Sequence, residues 1–410
     1  MRDVVLENIR HIRELDTRAY TLYNKYFECI ETFKMFGDEL IADVYSNMMS
    51  FDDLEVFMRN EENDIKIVHV DDDTDQMNRW MITRRLVHSM TWEQNMGRNM
   101  KFLMYINGKI AAVVSLASDM MSLKKRDEYI GWSKDDKLFG KKRLNCTAAC
   151  STIMPVQPLG YMAAGGKLVS LLLYHTSIRE AWEKAYGDTM AGLTTTSLYG
   201  NTSQYSGMNK YWKSCDTTAG TTPLLPQKDV YKQMIEWLKQ NHLDEYKAIF
   251  EEQVNAKGEV YMKSTPKYHV INLFYKKTDF KNYLRENDIN PDDLFLQHQR
   301  GVYFARFYDN TNEFLSNVEG VTEDKLTPRQ LDFDVKDANS IVKYWKRKWA
   351  TRRFEKKLQE PTYVRSKFMM HLKGIDSSDS FIAKYHDYDA TQENLDEVFA
   401  SVWNNLFTWE

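Results

Sequence analysis

The sequence predicts an α/β fold built on a mixed sheet. Two strand-like runs, 99–105 and 109–116, are joined by Asn107-Gly108, and this is the strongest short signal for a β-hairpin. A third strand, from Leu144 to Val156, is followed by a glycine-rich turn, a helix and a strand from Met190 to Leu198. This order is typical of an α/β domain with helices packed on the sheet.

The first 60 residues read as helical, because apolar residues recur at helical spacing without an intervening proline. Ser50 is the predicted cap of a helix that begins at Phe51. The acidic tract Asp71 to Asp73 lacks the glycine and terminal glutamate of a calcium loop. We therefore expect a solvated loop there and predict no metal. A helix is expected from Trp80 to Met90.

The central part of the chain continues the α/β pattern. The prolines Pro155 and Pro158 should end the strand, since proline has no backbone donor. One long helix is predicted from Ala163 to Tyr186, ended by Gly187. The strand after it leads into a loop rich in Ser, Thr, Tyr and Gly.

The composition changes after Pro223 and Pro226, which indicates a boundary. The predicted segments are a helical N-terminal segment 1–60, a core 61–228 and an α+β C-terminal region 229–410. In the last region, strands are predicted for Lys267 to Tyr275 and for Gly301 to Phe307. Helices are predicted there for Val230 to Asn241, His242 to Val254, Phe280 to Asn287 and Pro291 to Gln299.

Charge and cysteine content restrict the class of protein. With 55 basic and 59 acidic residues the net charge is −4, so affinity for nucleic acid must come from a local patch. The cysteines have no metal-binding spacing, and we expect buried free thiols in a reducing compartment. No apolar run reaches the roughly 18 residues of a membrane span, and the N-terminus has no signal-peptide core. We expect a cytoplasmic protein without membrane contact. The cysteines are Cys29, Cys146, Cys150 and Cys215.

The local patch is a basic helix, 340–358. From Lys343 to Lys357 there are eight basic residues opposed only by Glu355, with aromatic residues interleaved. This pattern predicts contacts with DNA phosphates; the alternative is a solvated helix that docks by its tryptophan side. The predicted DNA-binding residues of this helix are Lys343, Lys346, Arg347, Lys348, Arg352 and Arg353.

The hairpin and the segment Gln157 to Gly166 resemble the acetyltransferase superfamily known as GNAT. In that superfamily a helix N-terminus after such a turn receives the pyrophosphate of coenzyme A. Here Met162 stands at the last position of the Gln-x-x-Gly-x-Gly/Ala signature. The resemblance implies acetyl-CoA or a related acyl-CoA as donor, and packing glycines are the alternative. The implied donor-binding residues are Gln157, Gly160, Ala164, Gly165, Gly166 and Asn201.

A closer resemblance covers about residues 84–222. Gly97-Arg98-x-Met100-Lys101, Arg126-Asp127-x-x-Ile130-Gly131-Trp132-Ser133, Trp182-x-x-Ala185-Tyr186-Gly187 and Tyr205-x-Gly207 occur in order. This pattern resembles the DruA family of the Druantia anti-phage system, and it is similar to phage Mom-type DNA-modification proteins with a GNAT-like core. It implies a protein of phage defence or of a bacteriophage that acts on DNA in a bacterial cytoplasm.

The chain departs from the DruA pattern at three places. Thr147-Ala148 replaces an Asn-Asn pair, Thr195 to Gly200 replaces an acidic strand, and Gly220-Thr221-Thr222 replaces Gly-Arg-Gly-Arg. The carboxylate chemistry of the family is therefore not carried over, and we expect a hydroxyl-rich site in a divergent phage branch.

Acyl transfer requires a base, an acid for the departing thiolate and donors for the oxyanion. The GNAT resemblance implies a tyrosine acid, for which Tyr205 is best placed, with Tyr199 and Tyr211 as alternatives. Ser197 is expected to orient substrate, and Asp216 is the candidate base. Trp132 and Trp212 belong either to the core or to a stack on a flipped base.

We weigh three hypotheses for function. The leading one is a GNAT-like transferase of phage type that modifies DNA with an acyl-CoA-like donor. The second is a nucleic-acid-binding protein with a degenerate, inactive GNAT-like fold. The third is a structural or interaction protein, since a fold alone does not determine activity.

Overall fold

The computed structural model describes residues 1–13, 28, 31–88, 90–93, 97–138, 142–198, 203–218, 220–254, 258, 260–261, 266–297 and 299–359. These residues fall into two compact units. One takes the N-terminal residues up to 13 and those from 220 to 297; the other takes 28 to 218 and 299 to 359. The predicted segments 1–60, 61–228 and 229–410 stay a prediction, and a strand from residues 301–306 joins the central sheet.

Eleven strands occur in the described residues. They are β1 (Ile65–His69), β2 (Asn99–Ile106), β3 (Lys109–Ser118), β4 (Thr147–Pro155), β5 (Gly192–Ser197), β6 (Trp212–Thr217), β7 (Thr221–Pro223), β8 (Gln253–Val254), β9 (Val260–Tyr261), β10 (Phe295–Gln297) and β11 (Gly301–Arg306). Seven of them form one sheet in the order β1-β2-β3-β4-β5-β11-β6. β4 and β5 pair in parallel, and the other neighbours pair antiparallel. The predicted α/β class with a mixed sheet is confirmed.

The described helices are numbered in chain order. They are α1 (Arg2–Arg13), α2 (Asp38–Ser46), α3 (Phe51–Arg59), α4 (Thr74–Val87), α5 (Lys124–Ile130), α6 (Lys134–Leu138), α7 (Leu159–Ala163), α8 (Gly165–Leu172), α9 (Thr176–Tyr186), α10 (Lys228–Asn241), α11 (Leu243–Phe250), α12 (Pro266–Lys276), α13 (Thr278–Glu286), α14 (Thr311–Leu315), α15 (Ala338–Trp345) and α16 (Thr351–Leu358). Residues 31–36 are also helical. None of these helices combines the length and apolar character that crossing a membrane requires.

The hairpin prediction is confirmed. Asn107 and Gly108 have φ angles of 50° and 79°, the positive values of the tight turn that matches the twist of two antiparallel strands. Ile106 pairs with Lys109, and the ladder continues to Asn99 and Ala117.

The parallel ladder between β4 and β5 is short. Only Thr147 to Ala149 pair with Gly192 to Thr194. Beyond that point side chains replace the ladder: Thr195 Oγ1 donates to the carbonyl of Cys150 at 3.0 Å, and Gln204 Nε2 donates to that of Ile153 at 3.4 Å. The sheet therefore divides between β4 and β5, and the Gln204 side chain reaches into the opening.

The predicted single helix from Ala163 to Tyr186 is wrong. The backbone at Ala164 is left-handed, with φ at 56°, which separates α7 from α8. A second break lies before α9, where His175 Nδ1 accepts from the backbone N–H of Ser177 at 3.3 Å. The predicted end at Gly187 is confirmed, since its φ of 75° stops the helix. The Ser50 cap is confirmed as well, with a reciprocal bond to Asp53.

Two predictions in the C-terminal region are wrong. Lys267 to Tyr275 is not a strand but the helix α12. The segment from Pro291 forms one 3₁₀ turn and then β10 rather than a helix. The predicted helix from His242 to Val254 ends at Phe250, and its last residues form β8.

The smaller unit packs α1 with α10 to α13. Gln227 donates its backbone N–H to Asn8 Oδ1 at 3.1 Å, and Arg2 forms an ion pair with Asp279 at 3.4 Å. Its core is apolar, and β7 pairs with β10 beside it.

Candidate functional site

A buried charge cluster lies beneath the parallel strands. Arg126 Nη1 donates to Asp119 at 2.6 Å, and both side chains are fully buried. Arg126 Nη2 donates to Asp127 at 2.7 Å. Asp119 also accepts from the hydroxyls of Thr147 on β4 and Thr194 on β5, each at 2.7 Å. The cluster thus joins α5 to the place where β4 and β5 meet, and every charge has a partner, as burial requires.

The motif Arg126 to Ser133 is explained by this cluster. Gly131 ends α5 with φ at 78°. Trp132 is 6% exposed and lies against the cations of Arg126 and Lys137, at 5.1 Å and 5.9 Å from its ring centre. The packed alternative therefore holds for Trp132, since no face of its ring is open to a nucleobase.

A polar cavity of about 410 Å³ lies at the edge of the sheet, along β6 and β11. It brings together three predicted site residues, Tyr205, Trp212 and Asp216. Its other lining residues are Ser206, Gly207, Asn209, Lys213, Ser214 and Tyr303.

Tyr205 lines this cavity and packs against two aromatic rings. Its ring centre lies 4.5 Å from that of Tyr303 and 5.3 Å from that of Trp212. Its hydroxyl oxygen accepts from Gln204 Nε2 at 2.9 Å. Burial raises the pKa of the Tyr205 hydroxyl well above its ordinary value, so Tyr205 keeps its proton at neutral pH.

Asp216 carries the opposite protonation state. Lys125 lies 3.1 Å away and lowers the pKa of the Asp216 carboxyl, which stays ionised. Its φ of 92° is a left-handed conformation that side chains rarely adopt. Backbone strain of this kind is common at functional sites, and the strained residue Asp216 lines the cavity.

The other predicted catalytic residues are placed as follows. Ser197 is buried at the end of β5. The Tyr211 hydroxyl donates a hydrogen bond to Asp332 at 2.6 Å, so it already has an acceptor within the chain. Trp212 is fully buried and donates Nε1 to the carbonyl of Ser170 at 3.0 Å, so it is a core residue. Tyr199 and Asn201 lie outside the described residues.

Neighbouring protein atoms fill the space beside the glycines of the turn. A methyl group on Gly165 would lie 2.6 Å from Leu159 Cγ and 2.8 Å from the Leu159 carbonyl oxygen. One on Gly166 would lie 2.2 Å from Gln204 Oε1, and one on Gly160 would lie 2.8 Å from Gln157 Nε2. These close approaches account for the glycines by packing.

Gln157 and Ala164, which are also predicted to bind the acyl donor, have hydrogen-bond partners within the chain. Gln157 Oε1 accepts from the backbone N–H of Tyr161 at 2.9 Å, and the Ala164 carbonyl accepts from Trp345 Nε1 at 3.2 Å. Both residues of the predicted donor site thus have partners within the chain.

The basic helix is confirmed as helical, and it contains a π-helical turn, Lys346–Ala350, between α15 and α16. Three of its predicted DNA-binding residues have other partners. Arg353 Nε donates to the Tyr161 carbonyl at 2.8 Å. Lys346 Nζ donates to the carbonyls of Phe57 and Asn60 at the end of α3, and burial lowers its pKa to about 8. Lys343 pairs with Glu62.

Besides Lys343 and Arg353, four cations on the helix are exposed. In the part of the chain that the structure describes, no carboxylate forms an ion pair with any of them. We call these residues the basic face: Arg347, Lys348, Arg352 and Lys356.

Trp349 connects the basic face to the cavity. Lys348 Nζ lies 5.5 Å and Lys167 Nζ 5.6 Å from its ring centre. Lys167 also donates to the carbonyls of Gln204 and Ser206. A methyl group on Gly207 would lie 4.0 Å from Trp349 Nε1. The loop that lines the cavity therefore rests directly against the basic helix.

Sequence reasoning missed several of these residues. Asp119 follows β3 directly, but a single acidic residue after a strand gives no signal of its three partners. Lys167 and Tyr161 stand in or beside the glycine-rich turn, where the glycines give the stronger sequence signal. Lys125 belongs to a charged run that reads as a solvated helix face.

No metal-binding group was found in the described residues, where no three His, Cys, Asp or Glu side chains come together suitably. Cys146 and Cys150 are buried free thiols, Cys215 is half-buried, and Cys29 lies outside the described residues.

Comparison with known proteins gives the family. A family model described as "Druantia protein DruA" matches residues 34–265, more than half of the 410 residues. The Druantia protein DruA of Escherichia coli (strain UMEA 4076-1) is 26% identical over 154 residues, which cover 32% of this chain and 37% of that relative. The chain thus matches little more than a third of the relative's length. No solved structure matches. On the family match, the chain belongs to the DruA family.

Proposed function

We propose that the chain binds nucleic acid through the basic face. The observation that carries this proposal is the set of four exposed cations on one helix, Arg347, Lys348, Arg352 and Lys356, without ion-paired carboxylates among the described residues. The whole chain has a net charge of −4, so this concentration of positive charge is local. Such a patch is the electrostatic footprint of a phosphate-binding surface.

The proposal makes a quantitative demand on salt dependence. Each cation that neutralises a phosphate releases a counterion, so affinity falls as salt rises. If all four residues contact phosphates, log K should fall against log salt with a slope of about −3 to −4. A solvated helix without such contacts would show a much smaller slope.

The test is fluorescence anisotropy with labelled DNA between about 50 and 200 mM salt. A variant with Arg347, Lys348, Arg352 and Lys356 all changed to alanine should lose most of its affinity and most of its salt slope. The matched control changes four exposed lysines elsewhere in the same unit to alanine: Lys124, Lys134, Lys184 and Lys325. Both variants remove the same charge, so equal losses would refute the assignment to the helix. A wild-type chain that binds no DNA would refute the proposal itself.

A second candidate function is transfer of an acyl group to DNA, and the cavity favours it. Tyr205, which stays protonated, and Asp216, which stays ionised, line the same polar space. In such a reaction Asp216 takes the proton of the attacking nucleophile, the nucleophile bonds to the acyl carbon, and the carbon–sulfur bond breaks. Tyr205 then protonates the departing thiolate. The Lys125 contact makes Asp216 a weak base, so a substrate that displaces Lys125 would increase its basicity.

The donor in this candidate is acetyl-CoA or a related acyl-CoA. Binding at Gln157 to Gly166 would require Gln204 to leave Gly166 and Gln157 to release the Tyr161 N–H. The experiment is a thermal shift at saturating acetyl-CoA, where a bound donor raises the melting temperature. An unchanged temperature would exclude this donor.

The reaction itself is tested by mass spectrometry of nucleosides from DNA of cells that express the chain. A new nucleoside mass should be present with the wild type and absent with Tyr205→Phe. Tyr174→Phe is the matched control, because Tyr174 is also buried and donates one hydrogen bond, to the Tyr211 carbonyl at 2.6 Å. A mass that persists in Tyr205→Phe would remove Tyr205 from the chemistry.

A further inference from the structure

We propose that the nucleic acid bound at the basic face is single-stranded, and that an unpaired base stacks on Tyr161. This inference rests on the nucleic-acid binding proposed above and specifies which form is bound. The residues that carry it are Tyr161 on α7 and two cations of α16, Arg353 and Lys357.

Tyr161 is an exposed aromatic residue fixed in a cationic setting. It is 42% exposed, although most large apolar and aromatic side chains of this unit are buried. Lys357 Nζ lies 4.4 Å and Arg353 Cζ 5.8 Å from its ring centre. Lys357 also donates to the Tyr161 hydroxyl at 2.7 Å, and Arg353 Nε donates to the Tyr161 carbonyl at 2.8 Å. Its position is therefore set by the basic helix.

The Tyr161 side chain stays accessible although the basic helix holds it. Arg353 and Lys357 stand four residues apart on α16, so they lie on the same helix face. Both contact Tyr161 from α16, and Tyr161 is still 42% exposed. An exposed ring that two cations already hold in place can accept a stacked base without first being ordered.

Stacking selects for unpaired bases. In a duplex the faces of the bases are covered by their neighbours, whereas single strands offer them to aromatic side chains beside a basic groove. A surface of cations alone would bind both forms through their phosphates. A duplex cannot stack a base on Tyr161, because its base faces are already covered.

A path of cationic and aromatic side chains links Tyr161 to the cavity through Arg353, Lys167 and Trp349. Burial lowers the pKa of Lys167 to about 8, and the positive charge of Arg353 contributes to the same shift. Lys167 in turn lies beside Trp349, which is half-buried and adjoins Gly207 at the cavity. A single strand that stacks on Tyr161 and follows this path arrives at the polar cavity.

The experiment compares one labelled oligonucleotide as a single strand and as its duplex, together with a single strand of equal length that lacks bases. The wild type should bind the single strand at least about tenfold more tightly than either of the others, as expected for stacking of one base. Tyr161→Ala should lose about tenfold in affinity for the single strand and little for the duplex. Tyr161→Phe, which keeps the ring, should retain the preference.

The outcomes separate this inference from the proposed function. Equal affinity for single strand and duplex, with no effect of Tyr161→Ala, would overturn the inference while the basic-face variant still lost binding. If the wild type bound none of the three probes, the proposed function would fail as well. Ultraviolet cross-linking of the wild type to the single strand needs no variant. It should yield the peptide that contains Tyr161, and a cross-link map confined to other parts of the chain would also overturn the inference.

Discussion

Arg126 donates a hydrogen bond of 2.6 Å to Asp119, and neither side chain is exposed to solvent. The same carboxylate accepts from Thr147 and Thr194, which belong to the two parallel strands. A buried ion pair of this kind ties α5 to the junction, and each group would be strongly destabilising without the other.

Arg126→Met should therefore destabilise the fold strongly. The change removes one partner and leaves the Asp119 carboxylate buried, which costs about 3–5 kcal/mol in comparable pairs. Urea unfolding measures the free energy of unfolding. The control is Arg352→Met on the exposed basic face, with an expected change within about 0.5 kcal/mol. Equal stability of the two variants would contradict the role assigned to the cluster.

Alanine at the two turn glycines should have unequal effects. Gly165→Ala forces a methyl group against the Leu159 carbonyl, which belongs to the backbone and cannot move easily; we expect a loss of about 1–3 kcal/mol. Gly166→Ala meets the Gln204 side chain, at 2.2 Å from Oε1 and 3.0 Å from Cβ. Its cost should be smaller in a Gln204→Ala background, which removes Oε1 and keeps Cβ, as a double-mutant cycle would show. Additive effects of Gly166→Ala and Gln204→Ala would mean that the two side chains do not interact.

Lys346 should make stability rise with pH in the alkaline range. Burial lowers the pKa of its ammonium from 10.5 to about 8 in the folded chain. Between pH 8 and 10.5 the unfolded chain holds a proton that the folded chain has lost, so the free energy of unfolding increases with pH. Lys346→Met should flatten this rise in urea titrations, and the exposed Lys325→Met should not. Parallel curves for wild type and Lys346→Met would contradict the prediction.

Asp216→Gly should leave stability unchanged or slightly higher. Glycine adopts a φ of 92° without the steric penalty that aspartate bears. Relief of one strained position is expected to raise the melting temperature by about 2 °C. If Asp216 is the base of an acyl transfer, the same variant should lose the new nucleoside mass. Asp216→Asn, which keeps a side chain of equal size, should lose that mass without gaining stability.

Local features of the fold were predictable, and long-range ones were not. The Asn107-Gly108 turn and the Ser50 cap follow from the conformations of a few adjacent residues. The α12 segment failed because His269, Ile271, Leu273 and Tyr275 alternate as in a strand, whereas the side chains actually buried are Val270, Ile271, Phe274 and Tyr275. That spacing is helical, but it becomes visible only once the packing surface is known.

The candidate site shows the same division. The loop position of Tyr205 and the nearby carboxylate of Asp216 followed from order along the chain, and the structure places both at one cavity. The run of positive charge in the basic helix was equally evident. The sequence alone does not show which ammonium groups are available to a ligand. It does not reveal, for example, that Lys346 binds two carbonyls at the end of α3.

The place of β11 between β5 and β6 sets a condition on how the chain is made. Residues 220–298 are synthesised after β6 and before β11, so β5 and β6 leave the ribosome without the strand that separates them. Until residues 301–306 emerge, each has an unpaired edge facing that gap, which is the kind of edge that invites wrong pairing. A nascent chain or an expressed fragment that stops before Gly301 thus carries an unfinished sheet.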